Sequence, residues 1–283
     1  MIAGLASGLR SRFSILDQAH MIRTMAHRVQ ELLVLVVLAI FPKTTFGKLN
    51  CRWRASNAPA AVAEGSNGYC LSWRLAVEAN NVRAWRTVPP QCQRHVKSYM
   101  TGGQYNQDLN LIADQIMAYA DGIAVSDDGM DAWVLDIDDT CISNMFYYKG
   151  KRYGCDPFDA AGFKAWAVRG ECPAIPAVLR LFQKLVKDRF KVILLTGRDQ
   201  ETLGLATFNN LINQGFLGYE RLIMRTPAYK GQSAIIFKSD IRRQLVEEGY
   251  RIWGNIGDQW SDLQGQSVGN RTFKIPNPMY FVP

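Results

Sequence analysis

The sequence predicts an α/β fold, a Rossmann-like parallel sheet flanked by helices, with a helical region ahead of it and a small insert after its first strand. Three observations carry that expectation. From residue 132 onward, short apolar runs alternate with longer stretches of helical periodicity, separated by brief turns. That order builds a parallel sheet covered on both faces. The runs VLDIDD, KVILLTGR and RIWGNIGD are largely apolar, as strands buried on both faces are. Each stops at polar residues, so the reactive groups would share one edge of the sheet, where open α/β sheets place their chemistry.

Ahead of the alternation there is no strong strand pattern. Helices are expected at 71–79 and at 91–100, the second following Pro89 and Pro90. A third is expected at 106–120, where Leu109, Ile112, Ile116, Met117 and Ala120 recur at spacings of three and four. Trp73, Trp85 and Tyr105 in this region read as packing residues rather than a ligand box. Strands follow at 132–137, 191–195, 221–224 and 251–255, with a short one near 272–275. Helices fall between them at 177–187, 199–214 and 232–248. Asp199 is placed to cap its helix, with Glu201 complementing the dipole in the first turn. The stretch 144–176 interrupts the alternation just after the first strand and is rich in Tyr, Phe, Trp and Gly. It is placed to cover a site at that strand's end. There Phe146, Tyr147, Tyr148 and Trp166 either contact a leaving group or seal the insert against the core, two readings of equal weight.

The chain of 283 residues, 48% hydrophobic and with 23 glycines, has an ordinary globular composition. Its net charge of +8 is scattered, and the densest basic spots, Arg242 with Arg243 and the stretch 149–152, are short. Neither a basic stripe nor a nucleic-acid motif is present, so nucleic acid is not an expected partner. The run LLVLVVLAIF at 32–41 is about half the length of a membrane span. It fits a signal-peptide core, with no stable membrane span. Translation from Met25 would open a conventional signal peptide over residues 25–47 and leave the first 24 residues as an over-extended start. The expected organisation is an N-terminal extension and signal at 1–47, a helical region at 48–128 and a catalytic core at 129–283. The destination is secreted or vacuolar.

Six cysteines, Cys51, Cys70, Cys92, Cys141, Cys155 and Cys172, are an even count that permits disulfides in an oxidising compartment. Cys70 with Cys92, and Cys155 with Cys172, would each close a loop of about twenty residues. Cys141 reads as a small buried hydrophobe. Asn270 opens an N-glycosylation sequon.

The chemistry begins in WVLDIDDTCISN, where Asp136 and Asp138 end the first apolar run and, two apart, share a face. Two such carboxylates can hold a divalent cation, divide the roles of nucleophile and acid/base, or do both. A D-x-D-x-[ST] string arises by accident in roughly one chain in ten of this length, so the other strand ends decide. The second offers the Thr196 hydroxyl and the backbone amides around Gly197, and the fourth offers Asp258 and Asp262. Between them lies Lys238. Four acids, a hydroxyl and a lysine are what phosphoryl transfer through an aspartyl-phosphate requires. GQSVG at 265–269 matches a serine-hydrolase elbow, but the only histidines, His20, His27 and His95, all lie upstream, in the wrong order.

The segments D-x-D-x-T, T-G-R, the lysine and G-D-x-x-x-D, in this order, resemble the haloacid dehalogenase superfamily. More narrowly, YCLSWRLAVEANN, VLDIDDT, ISNMFYY, VILLTGRD, LVEEGYRIWGNIGDQWSDL and KIPNPMYFVP resemble the plant class B acid phosphatases and the vegetative storage proteins, from about residue 50 to the C-terminus. The resemblance implies Asp136 as nucleophile and Asp138 as general acid/base, with Thr196 and Lys238 on the phosphoryl group. It also implies Mg²⁺ held by Asp136, the Asp138 carbonyl, Asp258 and Asp262. Asp139 stands where the family usually has Glu, and Cys141 where an apolar residue is usual; neither carries a catalytic role. The expectation is a secreted Mg²⁺-dependent acid phosphatase acting on a small phosphomonoester. The alternative is a storage protein whose catalysis is vestigial. A homo-oligomer is compatible with both.

Overall fold

The computed structural model describes residues 67–283. The run at 32–41, Met25 and Cys51 lie outside the described residues. Helices α1 (Asn67–Glu78), α2 (Gln93–Thr101) and α3 (Gln104–Asp121) come first. The buried residues of α3, Tyr105, Leu109, Ala113, Ile116 and Ala120, are spaced by four, four, three and four, so one stripe faces inward. No described helix is long and apolar enough to cross a membrane.

Five parallel strands follow: β1 (Asp131–Leu135), β2 (Lys191–Asp199), β3 (Arg221–Arg225), β4 (Arg251–Gly257) and β5 (Arg271–Lys274), in the spatial order β3-β2-β1-β4-β5. The central β1 is buried along its whole length. Its alternation divides the core. Trp133 and Leu135 join Val192, Leu194 and Phe273 on one face, against α3 and α6 (Pro176–Lys187). Ala132 and Val134 join Ile193, Leu195 and Ile252 on the other, against Phe237, Ile241 and Leu245 of α8 (Ala234–Glu247). The first face explains why the helical region is not a separate body: Leu109, Ala113 and Ile116 pack in the same cluster as Trp133. The Trp133 ring also demands a glycine across the ladder, since a Cβ on Gly254 would lie 2.0 Å from it.

The strands β2 and β4 run further than their apolar residues predict, because parallel pairing carries their polar ends along. The strand β1 stops two residues early. The Asp136 N–H still donates to the Ile256 carbonyl (2.9 Å), after which the chain turns back, with the N–H groups of Cys141 and Ile142 both donating to the Ile137 carbonyl. Asp139 takes a left-handed φ of 55° in that turn.

The insert contains α4 (Met145–Gly150) and α5 (Ala160–Ala167), the latter capped by Asp159. Helix α7 (Gln200–Asn213) is capped by Asp199, whose carboxylate accepts from the Thr202 N–H. Cys70 and Cys92 form the expected disulfide. The expected Cys155–Cys172 bridge does not form, and both residues are buried thiols. The reason is local. Cys155 follows a 3₁₀ turn at Arg152–Gly154 whose Gly154 carbonyl accepts from Val88 N–H. Cys172 instead turns towards the loop that follows β1, its Sγ 3.4 Å from Asn144 Oδ1 and 3.6 Å from Arg198 Nη2.

Candidate active site

Asp136 emerges at the end of the most buried strand, where its side chain leaves the sheet beside the ends of β2 and β4. Lys238 comes from the second turn of α8, a helix capped by Ser233. Its Nζ bonds Asp136 Oδ1 and, at 2.5 Å, Asp262 Oδ1. Asp262 belongs to the four-residue helix α9 (Trp260–Leu263), where its Oδ2 accepts from the Gln259 N–H (2.9 Å) in a capping box. A Cβ on Gly257 would lie 2.3 Å from this carboxylate, so the β4 end must be glycine for Asp262 to sit there. Asp258 accepts from Gln259 Nε2 (2.7 Å) and Asn277 Nδ2 (2.6 Å).

Asp138 faces different partners. Arg198 donates Nη2 to its Oδ1 (2.8 Å) and Nε to both oxygens (3.0 and 3.1 Å). Asn144 Nδ2 adds 2.8 Å to Oδ1, and the Thr196 hydroxyl 3.1 Å to Oδ2. Thr196 also accepts from the Arg198 N–H (3.1 Å). It therefore stands behind Asp138, fully buried, rather than at the surface of the site.

The two aspartates are in opposite electrostatic states. Burial alone would raise the Asp138 carboxyl, but the Arg198 charge and the hydrogen bonds from Arg198, Asn144 and Thr196 hold it below the usual carboxylate range. At Asp136 burial wins over Lys238, helped by the charges of Asp262 and Asp258, and the carboxyl is pushed up. Burial and the nearby Asp262 and Asp139 raise Asp258 to about 8. Oxygen atoms of Asp136, Asp258 and Asp262 lie within 4.8 Å of one another, all three residues buried. Three carboxylates share one ammonium, so the cluster is short of positive charge. A hard divalent cation fits both the deficit and the all-oxygen donor set.

These residues line a cavity of about 530 Å³ that contains Asp136, Asp138, Gly197, Lys238, Asp258 and Asp262. The sequence-predicted acids, lysine and glycine are thus brought to one place. Of the aromatic candidates only Tyr148 reaches the cavity wall, stacked on Tyr280 at 4.6 Å. Phe146, Tyr147 and Trp166 do not line it and instead pack the insert. Phe146 lies against Trp166, Tyr147 packs on Phe163 and bonds the Asp159 carbonyl, and Trp166 Nε1 donates to Asn144 Oδ1 (3.2 Å).

Residues 55–283 match the family described as HAD superfamily, subfamily IIIB (acid phosphatase). The chain belongs to this family. Acid phosphatase 1 of Solanum lycopersicum is 44% identical over 213 residues, covering 75% of this chain and 83% of that one. The stem 31 kDa glycoprotein of Glycine max is 40% identical over 75% and 83% of the two chains. Vegetative storage protein 2 of Arabidopsis thaliana is 36% identical over 76% and 80%. Among solved structures, the class C acid phosphatase from Bacillus anthracis aligns with a TM-score of 0.55 at 20% identity, over 67% of this chain and 85% of that chain, a likeness of fold.

In this acid phosphatase family member several site residues escape a reading by motif. Arg198 had a signal: it lies two residues after Thr196 on the same strand end, so the two share a direction. Asn277 and Tyr280 lie in the family-like tail KIPNPMYFVP, but which acids they touch was not legible, since they follow β5 and are distant in sequence from those acids. Tyr280 donates to Asp139 Oδ2 (2.9 Å), and the Asn144 N–H donates to Asp139 Oδ1 (2.9 Å). Asp139 is therefore long enough to brace the loop.

Proposed function

We propose that this enzyme hydrolyses phosphomonoesters in two steps, with the phosphoryl group carried on Asp136. An Asp136 oxygen attacks phosphorus, the bond from phosphorus to the leaving oxygen breaks, and Asp138, having taken up the proton of the ester monoanion, passes it to that oxygen. Water then attacks the phosphoryl group, returns a proton to Asp138, and frees the Asp136 carboxylate with inorganic phosphate. Lys238 steadies the phosphoryl oxygens, with the Gly197 backbone beside it, while Thr196, expected on the phosphoryl group, acts from behind by holding Asp138. Asp136, Asp258, Asp262 and the Asp138 carbonyl would hold Mg²⁺, which offsets the repulsion between an anionic nucleophile and an anionic ester.

The observation that carries this reading is the contrast between two neighbouring carboxylates, one facing a lysine and two acids, the other an arginine, an amide and a hydroxyl. Asp136 thus sits where Lys238 and a cation on Asp258 and Asp262 would offset its charge, while Asp138 is held apart from them and aimed by Arg198. The names of the Glycine and Arabidopsis relatives favour a second reading, a storage protein with vestigial catalysis. The filled set Asp136, Asp138, Lys238, Asp258 and Asp262 weighs against it, because a pure reserve tolerates loss of the nucleophile. Assaying the mature chain on p-nitrophenyl phosphate with and without Mg²⁺ separates them. Turnover that needs the metal supports the phosphatase. Silence from acidic to neutral pH supports storage.

Secretion belongs to the same proposal, supported by the apolar run at 32–41 and the exposed sequon residue Asn270. N-terminal sequencing of the native protein should find a start between residues 39 and 51. A cytosolic chain beginning at Met1 would remove it.

A further inference from the structure

We infer that Arg225 and Lys164 form a second anion subsite in the active-site cavity, and that the preferred substrate is a phosphomonoester whose leaving group bears a carboxylate or a second phosphate. The inference deepens the phosphatase reading and rests on it.

Arg225 ends β3, in register with Asp199 at the end of β2, and lines the same cavity as Asp136. Its guanidinium is fixed from behind. Nη1 donates to the Tyr229 and Gln232 carbonyls (3.3 and 2.7 Å), and Cζ lies 4.9 Å from the centre of the Phe237 ring. Nη2 points elsewhere, 3.9 Å from where a Cβ on Gly197 would stand, and neither it nor Nε donates to any described residue. Arg225 pairs with no carboxylate among the described residues. Its partly buried charge is held below the usual arginine range by desolvation alone. A half-buried cation without a counter-ion costs stability, so an anionic ligand is its natural partner.

The cations of the reaction centre are already committed: Lys238 to Asp136 and Asp262, Arg198 to Asp138. Lys164 of α5 lines the cavity too and is exposed, again with no ion pair among the described residues. The acid whose charge reaches Lys164 is Asp199, and its Oδ1 accepts from the Thr202 N–H (2.8 Å) and hydroxyl (2.6 Å) at the start of α7. Among the lining side chains outside the reaction centre, Arg225 and Lys164 stand against the single carboxylate of Asp199. The remaining wall is apolar, with Phe158, Phe163, Leu203 and Phe281. At about 530 Å³ the cavity is far larger than phosphate alone needs and falls in the range of sites for small organic ligands. Its chemistry suits an apolar leaving group ending in an anion.

The test compares kcat/KM for phenyl phosphate with 3- and 4-carboxyphenyl phosphate, and for butyl phosphate with butane-1,4-diol bisphosphate, in the wild type and in Arg225→Gln, Arg225→Lys and Lys164→Gln. Dividing each variant's anionic-to-neutral ratio by that of the wild type cancels the leaving groups' own reactivity. The expected result is a ratio lowered about tenfold by Arg225→Gln, the worth of one charge-assisted contact, and less by Lys164→Gln, with Arg225→Lys retaining most of it. Higher salt should narrow the wild-type preference. The two substrate pairs tell a carboxylate subsite from a phosphate one. An unchanged ratio in Arg225→Gln overturns the subsite. An equal loss on both members of each pair also overturns it, because Arg225 would then serve the transferred phosphoryl group. If Arg225→Gln fails to fold, Arg225→Lys and the exposed Lys164→Gln decide alone. Turnover of no phosphomonoester by the wild type would end the phosphatase reading itself, a different failure from turnover without preference.

Discussion

Arg198 and Asp138 meet in a two-point ion pair at the floor of the active site, the guanidinium Nη2 2.8 Å from Oδ1 and Nε within 3.1 Å of both oxygens. The arginine is itself buried, with Nη1 donating to the Thr207 hydroxyl (3.2 Å). A planar fork fixed at its far side aims the carboxylate as well as charging it. The orientation of the proposed proton donor is thus set from β2 rather than from its own loop.

Arg198→Gln should leave the partly buried Asp138 without its cation, at a cost of up to about 3 kcal/mol. A lower melting temperature together with a fall in kcat of about a hundredfold is expected. Arg198→Lys, which keeps charge but loses the fork, should fall between. A variant with unchanged melting and unchanged kcat would show that the pair does not matter.

Asp136→Asn should keep the fold and lose at least about a thousandfold in turnover, since an amide is a poor nucleophile and contributes no anionic ligand. Asp138→Asn should be mild on p-nitrophenyl phosphate, whose leaving group scarcely needs a proton, and cost about 10²–10⁴ on an alkyl phosphate. Beryllofluoride should be trapped only with Asp136 and Mg²⁺ both present. Wild-type turnover by Asp136→Asn would reassign the nucleophile.

Asn277→Ala removes a 2.6 Å hydrogen bond to Asp258 and should weaken Mg²⁺ binding about tenfold, the usual effect of losing a group that orients a metal ligand. Calorimetric titration of the protein with Mg²⁺ reads this without any assay of activity. Unaltered affinity would mean that Gln259 alone suffices to hold Asp258.

The Cys70–Cys92 bridge closes a loop of 22 residues, so Cys92→Ser should lower stability by about 3 kcal/mol. Peptide mapping without reductant should recover the linked pair. Cys155 and Cys172 should alkylate only after denaturation, because both are buried thiols. Their recovery as a linked fragment would contradict the structure.

Asp131 contributes to the pH dependence of stability. Its Oδ1 accepts from Arg251 Nε (2.8 Å) and Trp253 Nε1 (2.6 Å), and Arg251, with the other hydrogen bonds, holds the carboxyl well below its usual range against the effect of burial. A depressed folded pKa gives stability that is present above the unfolded value near 4 and is lost as pH falls towards the folded one. Asp131→Asn should therefore be less stable than wild type at pH 7, by about 1 kcal/mol given the solvent-exposed arginine. The gap should close between about pH 4 and pH 2. Melts of both proteins across that range check it, and a gap that widened in acid would reverse the assignment.

The legible part of the molecule was the part written in local order. Strand β1 and its acids, the end of β2, the cap at Asp199 and the stripe of α3 all follow from periodicity and side-chain chemistry within about twenty residues, and each strand's run of apolar residues states that both its faces are buried. Parallel topology then places Asp136, Gly197 and Asp258 at one edge, because every strand points the same way. What tertiary structure alone decided lies where distant segments converge. Cys155 could not be told from a disulfide partner until Cys172 was seen turned towards Arg198 and Asn144. Phe146 and Trp166 could not be told from substrate contacts until they were seen packed on each other. Asn277 and Tyr280 reach Asp258 and Asp139 only because β5 pairs beside β4 and returns the tail across the site, and Arg225 faces the cavity only because β3 pairs beside β2. Sequence records which groups a strand end carries, but which of them meet depends on the order of strands in the sheet, and that order is set by burial of both its faces at once.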